Sequence, residues 1–504
     1  MGYAQVRSVA LQGVIGQVIV VEADVAPGLP SLVVSGLPDA ALSEARDRVR
    51  AAVHNSGARW PMQRITVNLL PAHVRKHGSG FDAAMAIAVL AAGAGLPLGR
   101  LVDAVVLGEL GLDGTLRPVR GVLPAVLAAS RAGIGLAVVP LANVAEARLV
   151  PDMPVRAADS LGRIIGFLHG SEHLLDPAVP SPPAEAAPLD LADVLGQERG
   201  RRVIELAAAG RHHVAMFGPP GAGKTMLAQR LPGILPPLDD REAIEATALH
   251  SVAGTLPPGS ALIRRAPLQA PHHTASVAAL VGGGSGLAKP GALSLAHHGV
   301  LFLDECNEFA NGALDALRQP LEQGFVRLRR IQGETVYPAR AQLVMAANPC
   351  PCAKSGGKQM CQCPPIVIRR YQARLSGPLM DRVDLQVDLD PVRSAAMFET
   401  EDVESSSVVA GRVLKARLTA VDRWSPHARS NGEVPGVLLR DAPFRLTRTV
   451  LQPLTRAMDH GYLSARGFDR TVRVAWTVAD LDGRSSPGVD DVREALQMRS
   501  RRIR

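Results

Sequence analysis

The chain has 504 residues, roughly two to four domains' worth, with 47% hydrophobic and 20% charged side chains, a balance that excludes a wholly disordered protein. Aromatic residues make up only 3%, so the cores rest on Ala, Val and Leu, and a long base-stacking groove for single strands is excluded. The formal charge is +8, from 55 basic residues of which only six are lysine; it admits a polyanionic partner, with arginine-rich coding bias as the alternative.

From the N-terminus, Val6–Val25 reads as strand with a glycine-containing turn, without the basic region and apolar core of a signal peptide. Further β-type runs, Ser31–Ser35, Ile65–Leu69 and Ala104–Val106, alternate with Ala-rich helices over Ala40–Ser56, Ala83–Ala92 and Pro124–Ala132. The longest apolar stretch, Ala83–Leu98, contains Gly93, Gly95 and Pro97 and falls short of the ~18 uninterrupted residues of a membrane helix, so it reads as a buried helix and no membrane is expected. Repeated prolines, among them Pro180, Pro182 and Pro183, mark a linker. The expected organisation is an N-terminal domain over 1–174, a linker over 175–189, an α/β core over 190–394 and a helical region over 395–504. Within the core, strands end in Gly- or Asp-bearing turns that lead into helices, the pattern of a parallel α/β sheet. Past Val392, Ser464 is placed to cap a helix with Phe468, Val472, Ala475, Val478 and Ala479 at helical spacing, and a last helix follows Pro487.

The strongest local signal is Gly218-Pro-Pro-Gly221-Ala-Gly223-Lys224-Thr225, between the apolar strand Val214–Phe217 and a helix over Met226–Leu231. Such glycines let backbone N–H groups surround a phosphate chain at the positive end of the helix. Lys224 then offers a point charge to the outer phosphates, and Thr225 offers a hydroxyl to Mg2+. Farther on, Gly299–Leu303 is an apolar strand ending in Asp304 and Glu305. A buried parallel strand delivers such residues to the ligand crevice, where Asp304 would hold the Mg2+ water shell and Glu305 would activate the attacking water. A third strand, Gln342–Ala347, ends in Asn348.

All five cysteines (306, 350, 352, 361 and 363) lie in one stretch of the second half, which fits a reducing cytoplasm better than a secreted disulfide framework. Cys350, Cys352, Cys361 and Cys363 form two Cys-x-Cys pairs that can close a tetrahedral Zn2+ site; four reduced thiols are the alternative. Cys306 reads as a small buried residue. Phe325–Tyr337 reads as a hairpin in which Val326 and Leu328 alternate with Arg327 and Arg329, followed by Arg330. Its cationic face suits phosphates, or simply solvent.

These residues, in this order, resemble an AAA+ ATPase of the magnesium-chelatase-like class, and specifically the ComM/YifB family, over essentially the whole chain. The most specific stretches are Pro271-His-His-Thr-Ala-Ser276, Pro290-Gly-Ala-Leu-Ser-Leu-Ala-His297, Leu317-Arg-Gln-Pro-Leu-Glu322, Asn348-Pro-Cys-Pro-Cys352 and Leu375-Ser-Gly-Pro-Leu-Met-Asp-Arg-Val-Asp384. The resemblance implies that Asn348 is the first sensor, Arg382 an arginine finger for the neighbouring subunit's ATP, and Arg466 the second sensor. Asp193-Val-Leu-Gly196-Gln197 looks like the segment covering the adenine. The first domain resembles the Lon protease fold, with Gly80 where the nucleophile lies, Ala125 where the catalytic lysine lies, and Ser79 one residue out of register. A Ser–Lys dyad needs a hydroxyl beside an amine, so no protease chemistry is expected. The resemblance implies a homo-hexameric, ATP- and Mg2+-dependent DNA helicase or branch-migration motor, active in recombination or natural transformation, with Arg327, Arg329 and Arg330 facing DNA. The alternatives are a chelatase-type motor or a protein-remodelling ATPase.

Overall fold

The computed structural model describes residues 2–36, 40–74, 76, 78–178, 187–257, 259–284, 288–330, 333–354, 361–375, 377–392 and 403–499. The linker's 179–186, the 395–402 opening of the helical region, the 355–360 stretch between the cysteine pairs, and His77, Gln332 and Ser376 lie outside the described residues.

The first sheet starts from an antiparallel hairpin, Gly2–Gln12 paired along its whole length with Ile15–Ala26. Alternation does what a half-buried strand requires: in Arg64–Leu70, the side chains of Ile65, Val67 and Leu69 are buried and the intervening ones are more exposed. The seven strands lie in the order 31–35, 64–70, 15–26, 2–12, 104–106, 136–140, 155–158. Helix Asp82–Ala94 packs on this sheet, buried from Asp82 to Leu90, and its alanines let it approach closely. Asp82, wholly buried, accepts two bonds from Arg48 (2.6 and 3.2 Å) and one from the Leu110 amide; burial nevertheless pushes its carboxyl up to about 6, against the pull of Arg48.

The second sheet is parallel throughout, in the order 268–269, 300–303, 342–347, 214–217, 385–388. Strands Val214–Phe217, Val300–Leu303 and Gln342–Ala347 are buried at every position, as a sheet covered on both faces demands. One face shares a core with the C-terminal helices Ser406–Trp424, Arg448–Asp459, Ala465–Leu481 and Val489–Gln497. Ser464 caps the third of these through a bond from the Gly467 amide, as the sequence predicts. The protein is thus mixed α/β with a helical C-terminus, and no helix among the described residues is long and apolar enough to cross a membrane.

The N-terminal region and the region of the second sheet are tied together outside the sheets' centres, through helices and a hairpin. Ser251 on helix Asp240–Ala253 donates to Glu146, which also accepts the Leu123 amide at 2.9 Å. Gln12, at the turn of the N-terminal hairpin, donates to the Glu334 carbonyl at 2.6 Å.

Candidate active site

Because the second sheet is parallel, the ends of strands 214–217, 300–303 and 342–347 open on one side and bring Gly218–Thr225, Asp304 and Asn348 together. Gly221 and Gly223 have φ of +79° and +80°, a region that side chains disfavour, so the loop closes only with glycine there. Helix Lys224–Ile234 starts directly from Gly223. The Lys224 amine donates to the carbonyls of Gly218 (2.6 Å) and Pro219 (2.9 Å) and to Asn348 Oδ1 (3.1 Å). Burial lowers its pKa, partly offset by the charge of Asp304. Thr225 Oγ1 donates to Asp304 Oδ2 at 2.7 Å, and Asp304 Oδ1 accepts the Glu305 amide at 2.9 Å. A hydroxyl and a carboxylate converging in this way are the hard oxygen donors that suit Mg2+. Gln197 lies beside the loop and donates to the Asp390 carbonyl at 2.7 Å, next to Gly196.

Glu305 occupies the left-handed region, with φ +48° and ψ +43°, a conformation costing a non-glycine residue about 1–2 kcal/mol. Its side chain is 51% exposed, and its Oε2 lies 3.2 Å from His273 Nδ1. The next residue, Cys306, is fully buried as expected, and burial pushes its thiol up to about 12.

Arg382 and Arg466 lie elsewhere. The amides of Asp384 and Leu385 bond to the His213 carbonyl, one residue before strand 214–217, so Arg382 stands at the opening end of the sheet. Four strand residues, about 13 Å at ~3.3 Å each, separate that end from the phosphate loop. There Arg382 is buried, its guanidinium bonded to the carbonyls of Arg318 and Pro378 and paired with Glu322 at 2.7 Å. Arg466 meets the same Glu322 at 3.8 Å and is 68% exposed. One helical turn on, Arg470 pairs with buried Asp384 at 2.6 Å, and Ser464 bonds Asp381. Burial alone would raise the Asp384 carboxyl; Arg470 and His212 hold it well below the usual range. Both arginines therefore gather on Glu322, out of reach of their own chain's loop.

The hairpin forms as Phe325–Arg330 paired with Gly333–Pro338. Val326 is buried whereas Arg327, Arg329 and Arg330 are exposed. Arg327 and Arg329 are both paired with Glu334, at 3.1 and 2.9 Å, so two of the three expected phosphate ligands are screened by a carboxylate of their own hairpin.

The four sulfurs of Cys350, Cys352, Cys361 and Cys363 lie within 4.8 Å of one another, the closest pairs at 3.1 and 3.2 Å. A tetrahedral zinc at ~2.3 Å from each would set them about 3.8 Å apart, so donor set and spacing fit the ion. The cluster follows directly on Asn348, and Gln372 bonds the intervening Pro349 carbonyl at 3.0 Å. Glu245, His297 and His298 also converge, but His297 Nδ1 accepts the Arg340 amide at 2.9 Å. Its proton therefore sits on Nε2, directed at Glu245, leaving that atom no lone pair for a cation.

In the first domain, Gly78, Ser79, Gly80, Glu109, Arg120 and Ala125 line part of a cavity of about 470 Å³. Ser79 gives its hydroxyl to Glu109, and Ala125 supplies a methyl where the resemblance places a lysine. Buried Lys76 donates to the carbonyls of Leu69 (2.8 Å) and Pro71.

Glu322, His273 and Glu334 carry no role that the sequence announces: they lie within the stretches 317–322, 271–276 and 325–337, where an acidic or imidazole side chain in a distinctive stretch is the one signal of a site.

Three family descriptions match in chain order: "Subunit ChlI of Mg-chelatase" over residues 21–143, "Magnesium chelatase, subunit ChlI" over 190–397, and "Magnesium chelatase, subunit ChlI C-terminal" over 403–499. An uncharacterized protein of Mycobacterium tuberculosis is 54% identical over 500 residues, 99% of either chain. YifB of Escherichia coli is 38% identical over 502 residues, 99% of this chain and 97% of its own. Competence protein ComM of Haemophilus influenzae is 39% identical over 509 residues, 99% of this chain and 98% of its own. Lon protease 3 of Sorangium cellulosum is 30% identical over 158 residues, 30% of this chain and 19% of its own, in keeping with a Lon-like N-terminal fold.

Proposed function

The chain belongs to the ComM/YifB family of magnesium-chelatase-like AAA+ proteins, and from that premise we propose that it is an ATP-driven DNA motor. It works in the cytoplasm as a homo-hexameric ring, as a helicase or branch-migration factor in recombination, natural transformation included. The observation that carries this reading is the separation of two groups to opposite ends of one sheet: Lys224, Thr225, Asp304 and Asn348 at one end, Arg382 and Arg466 at the other. A ring joining these ends puts both arginines of one copy on the nucleotide of the next.

In that arrangement Gly218, whose own amide bonds the Ala347 carbonyl at 3.2 Å, turns the chain from the strand into the loop; the amides of Gly221 and Gly223 cradle the phosphates, and Lys224 neutralises their charge. Gly196 and Gln197 flank the base. Thr225 and Asp304 would hold Mg2+, which would supply positive charge beside the outer phosphates. Glu305 accepts a proton from the attacking water, and Asn348, bonded to Lys224, senses the outer phosphate. Arg382 and Arg466 leave Glu322 for the neighbouring copy's phosphoryl group, whose growing charge a guanidinium stabilises.

The name of the Haemophilus relative, a competence protein, supports DNA as the polymer moved, and the arginine hairpin is the contact we assign to it. Residues 1–174 form a Lon-like domain without protease chemistry, 175–189 a linker, 190–394 the ATPase core and 395–504 the lid. The cysteine cluster holds a structural Zn2+ that braces the Asn348 loop.

The test is ATP turnover with and without forked DNA, together with branch migration. Turnover stimulated by forked DNA, abolished in Lys224→Ala, and lost with ATP still bound in Glu305→Gln, is expected. Turnover indifferent to every DNA offered would refute the DNA motor and favour a chelatase-type or protein-remodelling ATPase.

A further inference from the structure

Glu305 stands apart from the tightly bonded part of the site. Asp304 has committed both oxygens, to Thr225 and to the Glu305 amide, and Lys224 is held by three oxygens. The Glu305 carboxylate, half-exposed on a left-handed backbone, is instead approached by His273, whose Nδ1 lies 3.2 Å from Oε2. A carboxylate only accepts, so the proton of this contact belongs on Nδ1.

The turn bearing His273 is built to hold it in place. The Ala275 amide bonds the His272 carbonyl at 2.9 Å, and His272 Nδ1 lies 2.9 Å from Thr274 Oγ1. The His272 ring lies against that of His273, with centroids 4.1 Å apart. Ser276 then caps the short helix Val277–Val281, its Oγ accepting the Ala279 amide at 3.2 Å. Beyond that helix, Gly282 and Gly283 lie against Leu328 and Arg330 of the hairpin. The segment that reaches Glu305 therefore also touches the hairpin assigned to DNA.

We propose that His273 is a positioning residue that aims the Glu305 carboxylate at the attacking water. The proposal rests on the reading of Glu305 as the base. With Oε2 engaged by the imidazole N–H, Oε1 is left to accept the water's proton and the side chain is confined to one orientation. Without His273, a half-exposed carboxylate samples several orientations, and only a fraction is productive. An error of about 1 Å in such a group lowers rate by factors of ten to a hundred. Loss of His273 should accordingly slow turnover and leave nucleotide binding alone.

The experiment is steady-state ATP hydrolysis by the full chain in His273→Ala, His273→Asn, Glu305→Gln and the His273→Ala/Glu305→Gln double variant, with fluorescent-nucleotide binding alongside. The amide nitrogen of asparagine branches at the same distance from Cβ as histidine Nδ1, so it replaces the donor. His273→Ala is expected to lower kcat about tenfold with KM and nucleotide affinity unchanged. His273→Asn should recover most of the loss, and His273→Ala should add nothing to Glu305→Gln. The proposal is overturned if His273→Ala keeps kcat within about twofold of the parent, if asparagine does no better than alanine, or if the loss falls on KM. A Glu305→Gln chain that turns over normally strikes instead at the base assignment itself.

Discussion

Replacing Glu334 by glutamine should make the protein bind DNA more tightly. Its carboxylate lies 3.1 Å from Arg327 Nη1 and 2.9 Å from Arg329 Nε, and the two arginines are 46% and 75% exposed. A phosphate reaching these guanidinium groups must displace the carboxylate from both. Exposed pairs of this kind are worth about 0.2–1 kcal/mol each, so removing both should tighten binding by about 0.4–2 kcal/mol, roughly 2- to 30-fold in Kd. Two freed cations should also steepen the dependence of log K on log salt, by up to about 1.4 for single strands and 1.8 for duplex. Fluorescence anisotropy of labelled forked DNA across a salt series, on the parent and Glu334→Gln, reads both quantities. If affinity and slope both stay unchanged in Glu334→Gln, phosphates do not contact Arg327 and Arg329, and the hairpin is a solvated face.

Asp384→Ala should destabilise the fold by about 3 kcal/mol in a denaturant titration, because it leaves the largely buried Arg470 without its counterion; a loss below about 1 kcal/mol would show that the pair does not anchor this end of the sheet. His213 and His297 are both lowered from 6.5 to about 4, chiefly by burial, so the unfolded chain takes up protons below pH 6.5 that the folded chain refuses. Stability should therefore be complete above pH 6.5 and fall toward pH 4 by about 1.4 kcal/mol per unit for each histidine. His297→Gln should flatten the decline of Tm with acid, and an unchanged profile would contradict it. Protein purified without added metal should carry one zinc per chain, lost in Cys361→Ser together with several degrees of Tm; a zinc-free parent would leave four plain thiols.

Features set by a single local rule were legible in the sequence. Strand, glycine loop and Lys224 follow one another directly, Ser464 caps its helix, and Val326 and Arg327 alternate with the pleat. Short apolar strands such as Leu136–Pro140 and Val155–Ala158 pair as sheet neighbours at one edge, but beside Ala-rich helices their length gives no distinctive period. The contacts that refine the site are of another kind. His273 meets Glu305 across 32 positions, and Glu322 gathers Arg382 and Arg466 from two other elements. Such meetings follow from how strands and insertions stack, and no spacing along the chain announces them. Glu334 was nearer to hand, since a tight hairpin already places it opposite Arg329.

The central claim, that one copy's arginines complete the next copy's nucleotide site, is tested most directly by mixing two inactive variants. Lys224→Ala lacks a working loop and Arg382→Ala lacks the finger, so neither should hydrolyse ATP alone. Mixed at equal amounts and allowed to exchange subunits, they should regain roughly a quarter of parental activity, the share of head-to-tail junctions that pair an intact loop with an intact finger. Mixtures that stay as inactive as their components would contradict a shared site, as would an Arg382→Ala chain that hydrolyses ATP at the parental rate.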